Sequence, residues 1–142
     1  MLERWARLRA LPVSDRRLLL QATFLVAAAW VATLVLPYQR IAALTASRTA
    51  SSHLAPAAID HLAWAVTAAG RAVPGGNCLP QALALQVLLK RRGEPASLRL
   101  GVARDEQGGL HAHAWVDCQD RTVIGGDVAH MAPLLPSVRT RD

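Results

Sequence analysis

The chain has 142 residues and is 52% hydrophobic, which allows one ordinary domain with a real core and excludes global disorder. Its formal net charge of +6 suits an anionic membrane, an acidic peptide or protein, or nucleic acid. Nucleic acid is disfavoured because no aromatic residues interleave with the basic ones and no zinc-finger spacing is present.

The first 73 residues read as a helical N-terminal region. After a start signal with Ser14 or Asp15 as N-cap, Leu18–Leu36 is almost continuously apolar and Pro37 ends it. As a helix this run would be roughly 28 Å long, close to the thickness of a bilayer core. We expect a helix that is buried, docked on a partner or inserted in a membrane.

No short apolar run followed by a small-residue cleavage site begins the chain, so no signal peptide is predicted and the cytoplasm is the default location, with membrane association left open. Two cysteines do not form a disulfide framework, although a bridge between Cys78 and Cys118 is an alternative.

A second organising feature is a helix predicted to begin at Cys78. A glycine turn precedes it, and Gly93 followed by Pro95 stops it. A thiol at a helix start lies beside unpaired backbone N–H groups and the positive end of the helix dipole. Both favour the thiolate, which is the nucleophilic form of cysteine.

After Gly93 the apolar period changes from 3.6 to 2, which predicts a three-stranded meander. Its strands run from Ser97 to Val102, from Leu110 to Asp117, and from Thr122 to Gly126. The predicted fold is therefore α+β, with the cysteine helix packed on a three-stranded antiparallel sheet. We divide the chain into the helical region 1–73, a core at 74–130 and a loose tail at 131–142.

Cysteine catalysis requires a base near the thiolate and a group that orients the base. His113 or His111, on the second strand, could supply the base, and Asp127 could orient it. A three-residue hairpin loop at 119–121 would place His113 opposite Asp127, whereas a two-residue loop would place it opposite Gly126.

Other side chains near this predicted site have several interpretations. The Cys78 backbone N–H could line an oxyanion hole together with Gln81 or Asn77. Trp115 and His111 are further candidates for oxyanion or substrate contacts, although Trp115 is most simply a packing residue, and Cys78 could be an inert buried thiol. His111 and His113 could instead bind zinc with Cys118, but a full ligand set at the usual spacing is missing, so no metal or other cofactor is expected.

Linked motifs in one order resemble the lasso-peptide biosynthesis leader peptidases of the transglutaminase-like superfamily. They are NCLPQALALQ at 77–86, LLKRRGEPA at 88–96, LRLGV at 98–102, HAHAWV at 111–116 and VIGG at 123–126, with a looser match through PYQR at 37–40. The resemblance implies a papain-like cysteine, histidine and aspartate arrangement. By position, Cys78 matches the nucleophile, His113 the base and Asp127 the orienting acid, the last being the least secure.

The resemblance implies that the protein removes the leader from a ribosomally made precursor before a separate cyclase closes the ring. Nothing before Cys78 reads as a strand-rich leader-recognition domain, so a separate leader-binding protein is expected as a partner. The Leu18–Leu36 helix is then a docking surface for that protein, the cyclase or a membrane.

Two other functions stay open. The same fold could serve as a non-catalytic scaffold or membrane adaptor that holds a peptide. The same triad could also transfer the acyl group to an amine instead of water.

Overall fold

The computed structural model describes residues 2–37, 39–41, 53–126, 128–129 and 131–133. The main helices come first along the chain and the strands follow. They are α1 (Leu2–Ala10), α2 (Val13–Val35), α3 (Pro56–Ala72), α4 (Cys78–Arg91), β1 (Ser97–Arg104), β2 (Leu110–Cys118), β3 (Arg121–Ile124) and β4 (Ala132–Pro133). The predicted α+β architecture, with the cysteine helix packed on an antiparallel sheet, is confirmed.

Three helices pack together, and two of them, α3 and α4, contact the sheet. α2, α3 and α4 contact one another, and α4 lies against β2 and β1. α2 contributes Leu18, Ala22 and Val26 to the shared core, at the helical spacing of four residues. One continuous core therefore joins the front helices to the region that begins at Cys78.

The start of α2 differs from the sequence prediction. The helix begins at Val13 with Pro12 as N-cap, and no side chain caps it. Asp15 instead bonds His61 on α3, with 3.1 Å between Oδ1 and Nε2. The N-cap prediction for Ser14 or Asp15 was wrong because the extended backbone of Pro12 already lets the helix start two or three residues earlier.

The end of α4 follows the prediction closely. Gly93 has a φ of +75°, and its N–H bonds the Lys90 carbonyl while the Glu94 N–H bonds the Leu89 carbonyl. This pair of bonds is a Schellman motif, which glycine favours because it has no Cβ. The motif carries the chain into a buried Glu94 before β1 begins.

The sheet has the order β3-β2-β1-β4, in which the three predicted strands form the meander and the two-residue β4 adds an edge beside β1. The third strand ends at Ile124 rather than at the predicted Gly126. The tail residues 134–142 lie outside the described residues.

The β2–β3 hairpin combines the two loop alternatives. Gln119 and Asp120 form a two-residue turn with φ values of +51° and +59°, and Cys118 pairs with Arg121. A bulge after Asp117 then shifts the register by one, so Val116 pairs with Ile124. Loop length alone therefore does not set the strand register near His113. The bulge adds one residue, so beyond it the two strands pair in the register that a three-residue loop would give.

Within the described part of the chain, one helix is long and apolar enough to cross a membrane: α2, with 17% of its most apolar stretch buried. Core helices and signal sequences meet the same criterion.

Candidate active site

Cys78 is the first residue of α4 and is half-buried against the helical core. The first hydrogen bond of this helix runs from the Gln81 N–H to the Asn77 carbonyl. Pro80 has no N–H, so the backbone donors left at this helix start are those of Cys78 and Leu79. Such donors can stabilise an oxyanion that forms next to the thiol.

The loop before Cys78 is held by contacts with α2, α3 and α4. Gly75, with a φ of +75°, leaves no room for a Cβ because the Trp30 indole lies against it. Gly76 is buried, and a Cβ there would come within 3.0 Å of the Val73 carbonyl oxygen and closer still to the Gly70 carbonyl oxygen. The glycines before the cysteine are thus required by close packing.

Gln81 closes the same loop from inside the helix. Its Nε2 donates to the Gly76 carbonyl at 2.7 Å, and its side chain lies against Gly70 of α3. In this arrangement the amide positions the loop in front of Cys78. The prediction that Gln81 also lines an oxyanion hole stays a prediction.

His113 lies on β2 and is half-buried. Its Nε2 contacts the Gly125 carbonyl oxygen at 2.7 Å, and because a carbonyl can only accept, Nε2 carries the proton. The other ring nitrogen, Nδ1, is then free of a proton in the neutral imidazole. A histidine fixed in this tautomer can accept a proton through Nδ1 and act as a general base.

Trp115 supports this histidine. Its ring stacks on the His113 ring with centroids 6.4 Å apart and 24° between the planes. Trp115 is 5% exposed, and the space around it depends on two glycines. A Cβ on Gly101 would come within 2.7 Å of Trp115 Cη2, and one on Gly125 would overlap Trp115 Cβ.

The described contacts do not join Cys78 to His113. Ala114, Val116 and Cys118 of β2 belong to the core shared with the helices, whereas alternation places His113 and Trp115 on the other face of the strand. No hydrogen bond between the Cys78 thiol and the His113 ring exists in the described part of the chain. Catalytic hydrogen bonds are often long before substrate binds.

The remaining predicted site residues are placed as follows. The Asn77 side chain is exposed and makes no capping bond, while its N–H bonds the Gly75 carbonyl at 2.8 Å. His111 is exposed and lies two residues before His113 on β2. Asp127 lies outside the described residues, so its predicted role stays a prediction.

The second cysteine has a separate environment. Cys118 is buried, and its Sγ lies 3.4 Å from the Pro95 carbonyl oxygen and 3.7 Å from Glu94 Oε1. Burial, together with the neighbouring Glu94 carboxylate, raises the pKa of the Cys118 thiol from 9.0 to about 11. Cys118 is therefore a protonated, structural thiol at neutral pH.

Both cysteines are free thiols, so the alternative of a Cys78–Cys118 bridge is not realised. Among the described residues, no group of three or more histidine, cysteine, aspartate or glutamate side chains is arranged to hold a metal ion.

Three groups that contact His113, the loop before Cys78 or Cys118 were not predicted from the sequence. They are the Gly125 carbonyl, the Trp30 indole and the Glu94 carboxylate. The Gly-Gly pair at 125–126 was a visible signal, because adjacent glycines indicate unusual backbone geometry. Trp30 and Glu94 gave no local signal, since the partners named for them here lie 24 or more residues away along the chain.

A family model described as the transglutaminase-like superfamily matches residues 18–136. The matched span begins in α2 and includes the cysteine helix and all four strands. Comparison with curated proteins and with solved structures finds no match.

Proposed function

Because the chain belongs to the transglutaminase-like superfamily, we propose that it is a cysteine peptidase that removes the leader from a lasso-peptide precursor. The observation that carries the peptidase proposal is Cys78, the first residue of α4, with the backbone donors of that helix start beside it. The linked motifs around Cys78 and His113 support the finer assignment to leader removal.

The proposed mechanism requires the His113 ring to come into contact with the Cys78 thiol when the precursor binds; Nδ1 then takes the thiol proton and the Cys78 sulfur attacks the carbonyl carbon of the scissile bond. The oxyanion forms near the N–H groups of Cys78 and Leu79. The imidazolium then gives its proton to the leaving amine, and the C–N bond breaks to leave a thioester. Water, deprotonated by the same histidine, hydrolyses the thioester and regenerates the thiol.

In this proposal, the partners are a separate leader-recognition protein, which presents the precursor, and a cyclase, which uses the freed N-terminus. Asp127 is proposed as an additional orienting group for His113. The Gly125 carbonyl already holds Nε2–H, so the proposed base has an orienting group that does not depend on this acid.

The test is to incubate the protein with a lasso-peptide precursor and a leader-recognition protein, and to follow cleavage by mass spectrometry. Cys78→Ala should abolish cleavage while circular dichroism and partner binding stay unchanged. Cys118→Ala is the matched control and should retain cleavage, because its thiol faces Glu94 and Pro95. Cleavage by the Cys78→Ala protein would end the proposal, and transfer to an amine would appear as a different product mass.

One observation favours a second function, a non-catalytic scaffold that holds the peptide. His113 shares a strand face with Trp115, opposite the face that packs on α4, and does not bond Cys78. Labelling by iodoacetamide at neutral pH separates the two functions. An unreactive Cys78 in the presence of precursor and partner would favour the scaffold.

A further inference from the structure

α2 has two apolar sides, and only one of them is covered. The covered side carries Leu18, Ala22 and Val26, which pack in the core with α3 and α4. The other side exposes large apolar residues between 51% and 73% of their surface. They are Val13, Leu20, Phe24, Val31, Leu34 and Val35, here called the outward stripe.

The outward stripe is continuous along the helix. Val13, Leu20, Phe24, Val31 and Val35 follow one another at intervals of seven and four residues, which keeps them on one side. The stripe is about 33 Å long at 1.5 Å per residue. Exposed apolar residues that occur singly are ordinary, but an aligned row of this length indicates a binding surface.

α1 also exposes apolar side chains to solvent. It has no buried residue, and it exposes Leu2, Trp5 and Leu8. A helix of nine residues with no buried residue is marginal in water, so an apolar surface would stabilise it. Tryptophan is also a side chain that favours the boundary between water and lipid.

The charged residues near the outward stripe indicate what kind of partner binds it. Residues 2–17 contain two acids and five arginines: Arg4, Arg7, Arg9, Arg16 and Arg17. In the described part of the chain none of these arginines forms an ion pair. Arg16 and Arg17 stand in the first turns of α2, where the helix dipole disfavours a cation, and Arg17 precedes Phe24 by seven residues on the stripe side. Anionic groups beside the stripe would offset this cost.

We infer that α1 and the outward stripe of α2 dock on the surface of an anionic phospholipid bilayer. α2 lies in the plane of the interface and does not span it, because spanning would withdraw Leu18, Ala22 and Val26 from the core. The arginines contact the phosphate headgroups, and the stripe enters the boundary of the acyl chains. This inference does not depend on the peptidase activity.

The test is sedimentation of the full chain with phosphatidylcholine vesicles that contain or lack phosphatidylserine. We expect binding to the anionic vesicles, weak binding to the neutral ones, and release by high salt or alkaline carbonate. Phe24→Asp and the double variant Arg16→Glu, Arg17→Glu should each weaken binding by about tenfold or more. Leu110→Asp and Arg104→Glu are matched controls and should bind like the unmodified chain. Leu110 is 72% exposed, as Phe24 is, and Arg104 is an exposed arginine on β1.

Circular dichroism and thermal unfolding of the Phe24→Asp protein check that it folds, which its exposure favours. Binding to neither vesicle, or equal loss in the controls, would overturn the inference. A protein that stays in the vesicles after carbonate treatment would also overturn it, since α2 would then span the bilayer. Two further results, each in the absence of vesicle binding, would overturn the inference. One is a dimer of this chain that the Phe24→Asp substitution dissociates. The other is binding of a leader-recognition protein to the outward stripe.

Discussion

His113 Nε2 donates a hydrogen bond to the Gly125 carbonyl oxygen, with 2.7 Å between the two atoms. The bond joins the middle of β2 to the residue just after β3, and it fixes which ring nitrogen carries the proton. The position of that carbonyl depends on Gly125, whose φ of +114° is strained for residues with a Cβ. The tautomer of the proposed base thus depends on a glycine in the neighbouring chain segment.

The first prediction concerns the two adjacent glycines after β3. Gly125→Ala should lower kcat/KM for leader cleavage by about 100-fold, because the new Cβ would overlap Trp115 and displace the carbonyl that holds His113. Gly126→Ala is the matched control. It also has a positive φ, of +73°, but a Cβ there meets nothing within 4 Å. Its expected cost is about 1 kcal/mol of stability.

Cleavage kinetics and urea unfolding, measured on both glycine variants, check this prediction. Equal losses in the two variants would show that backbone strain, and not the contact with Trp115, decides the effect.

The second prediction compares two histidines on one strand. Removing the base in His113→Ala should slow alkylation of Cys78 and leader cleavage by about 100-fold or more. His111→Ala should change neither rate more than about twofold if His113 alone supplies the base. Alkylation is followed by intact-mass spectrometry as a function of pH. If the rates depended on His111 instead, the assignment of His113 as the base would be wrong.

The third prediction concerns the pH dependence of Cys118. Since its pKa in the folded protein is about 11, above the ordinary 9.0, the unfolded chain loses this proton first as the pH rises. The contribution of this thiol to stability is therefore complete below pH 9 and is lost between pH 9 and about 11. The loss should be on the order of 2 kcal/mol.

Urea unfolding across this pH range measures the loss. The Cys118→Ala substitution should remove this part of the pH dependence of the free energy of unfolding. At neutral pH only Cys78 should react with iodoacetamide in the folded protein. Rapid labelling of Cys118 under these conditions would contradict its buried, protonated state.

The fourth prediction tests Glu94, which is 2% exposed. Its Oε2 accepts the Leu54 N–H at 2.7 Å, and its Oε1 accepts from Gln119 Nε2 at 3.4 Å. Glu94→Ala should lower the free energy of unfolding by about 2 kcal/mol, because the Leu54 N–H loses its acceptor and Gln119 Nε2 keeps only the Leu54 carbonyl. Glu106→Ala, at an exposed turn, should change it by less than about 0.5 kcal/mol. A similar small effect at Glu94 would show that water replaces the carboxylate.

Several elements could be predicted because their signals are local. The glycine turn, Cys78 and the Gly93 stop define α4, and each acts through backbone geometry within a few residues. The alternation in HAHAWV identified β2 and put His113 and Trp115 on one face. The hairpin was harder. Its turn residues indicate either loop length, and the bulge at Asp117 becomes visible only when both strands are paired.

The order of residues by itself determined that a thiol begins a helix, that this helix stops at Gly93, and that a histidine lies on a strand beside a tryptophan. These features follow from short-range sterics and from the periods of helix and strand. Only the tertiary structure decided that the Gly125 carbonyl holds His113, that Trp30 supports the loop before Cys78, and that one side of α2 is covered while the other is exposed. Such contacts join residues far apart in the chain, and their geometry depends on how whole elements pack.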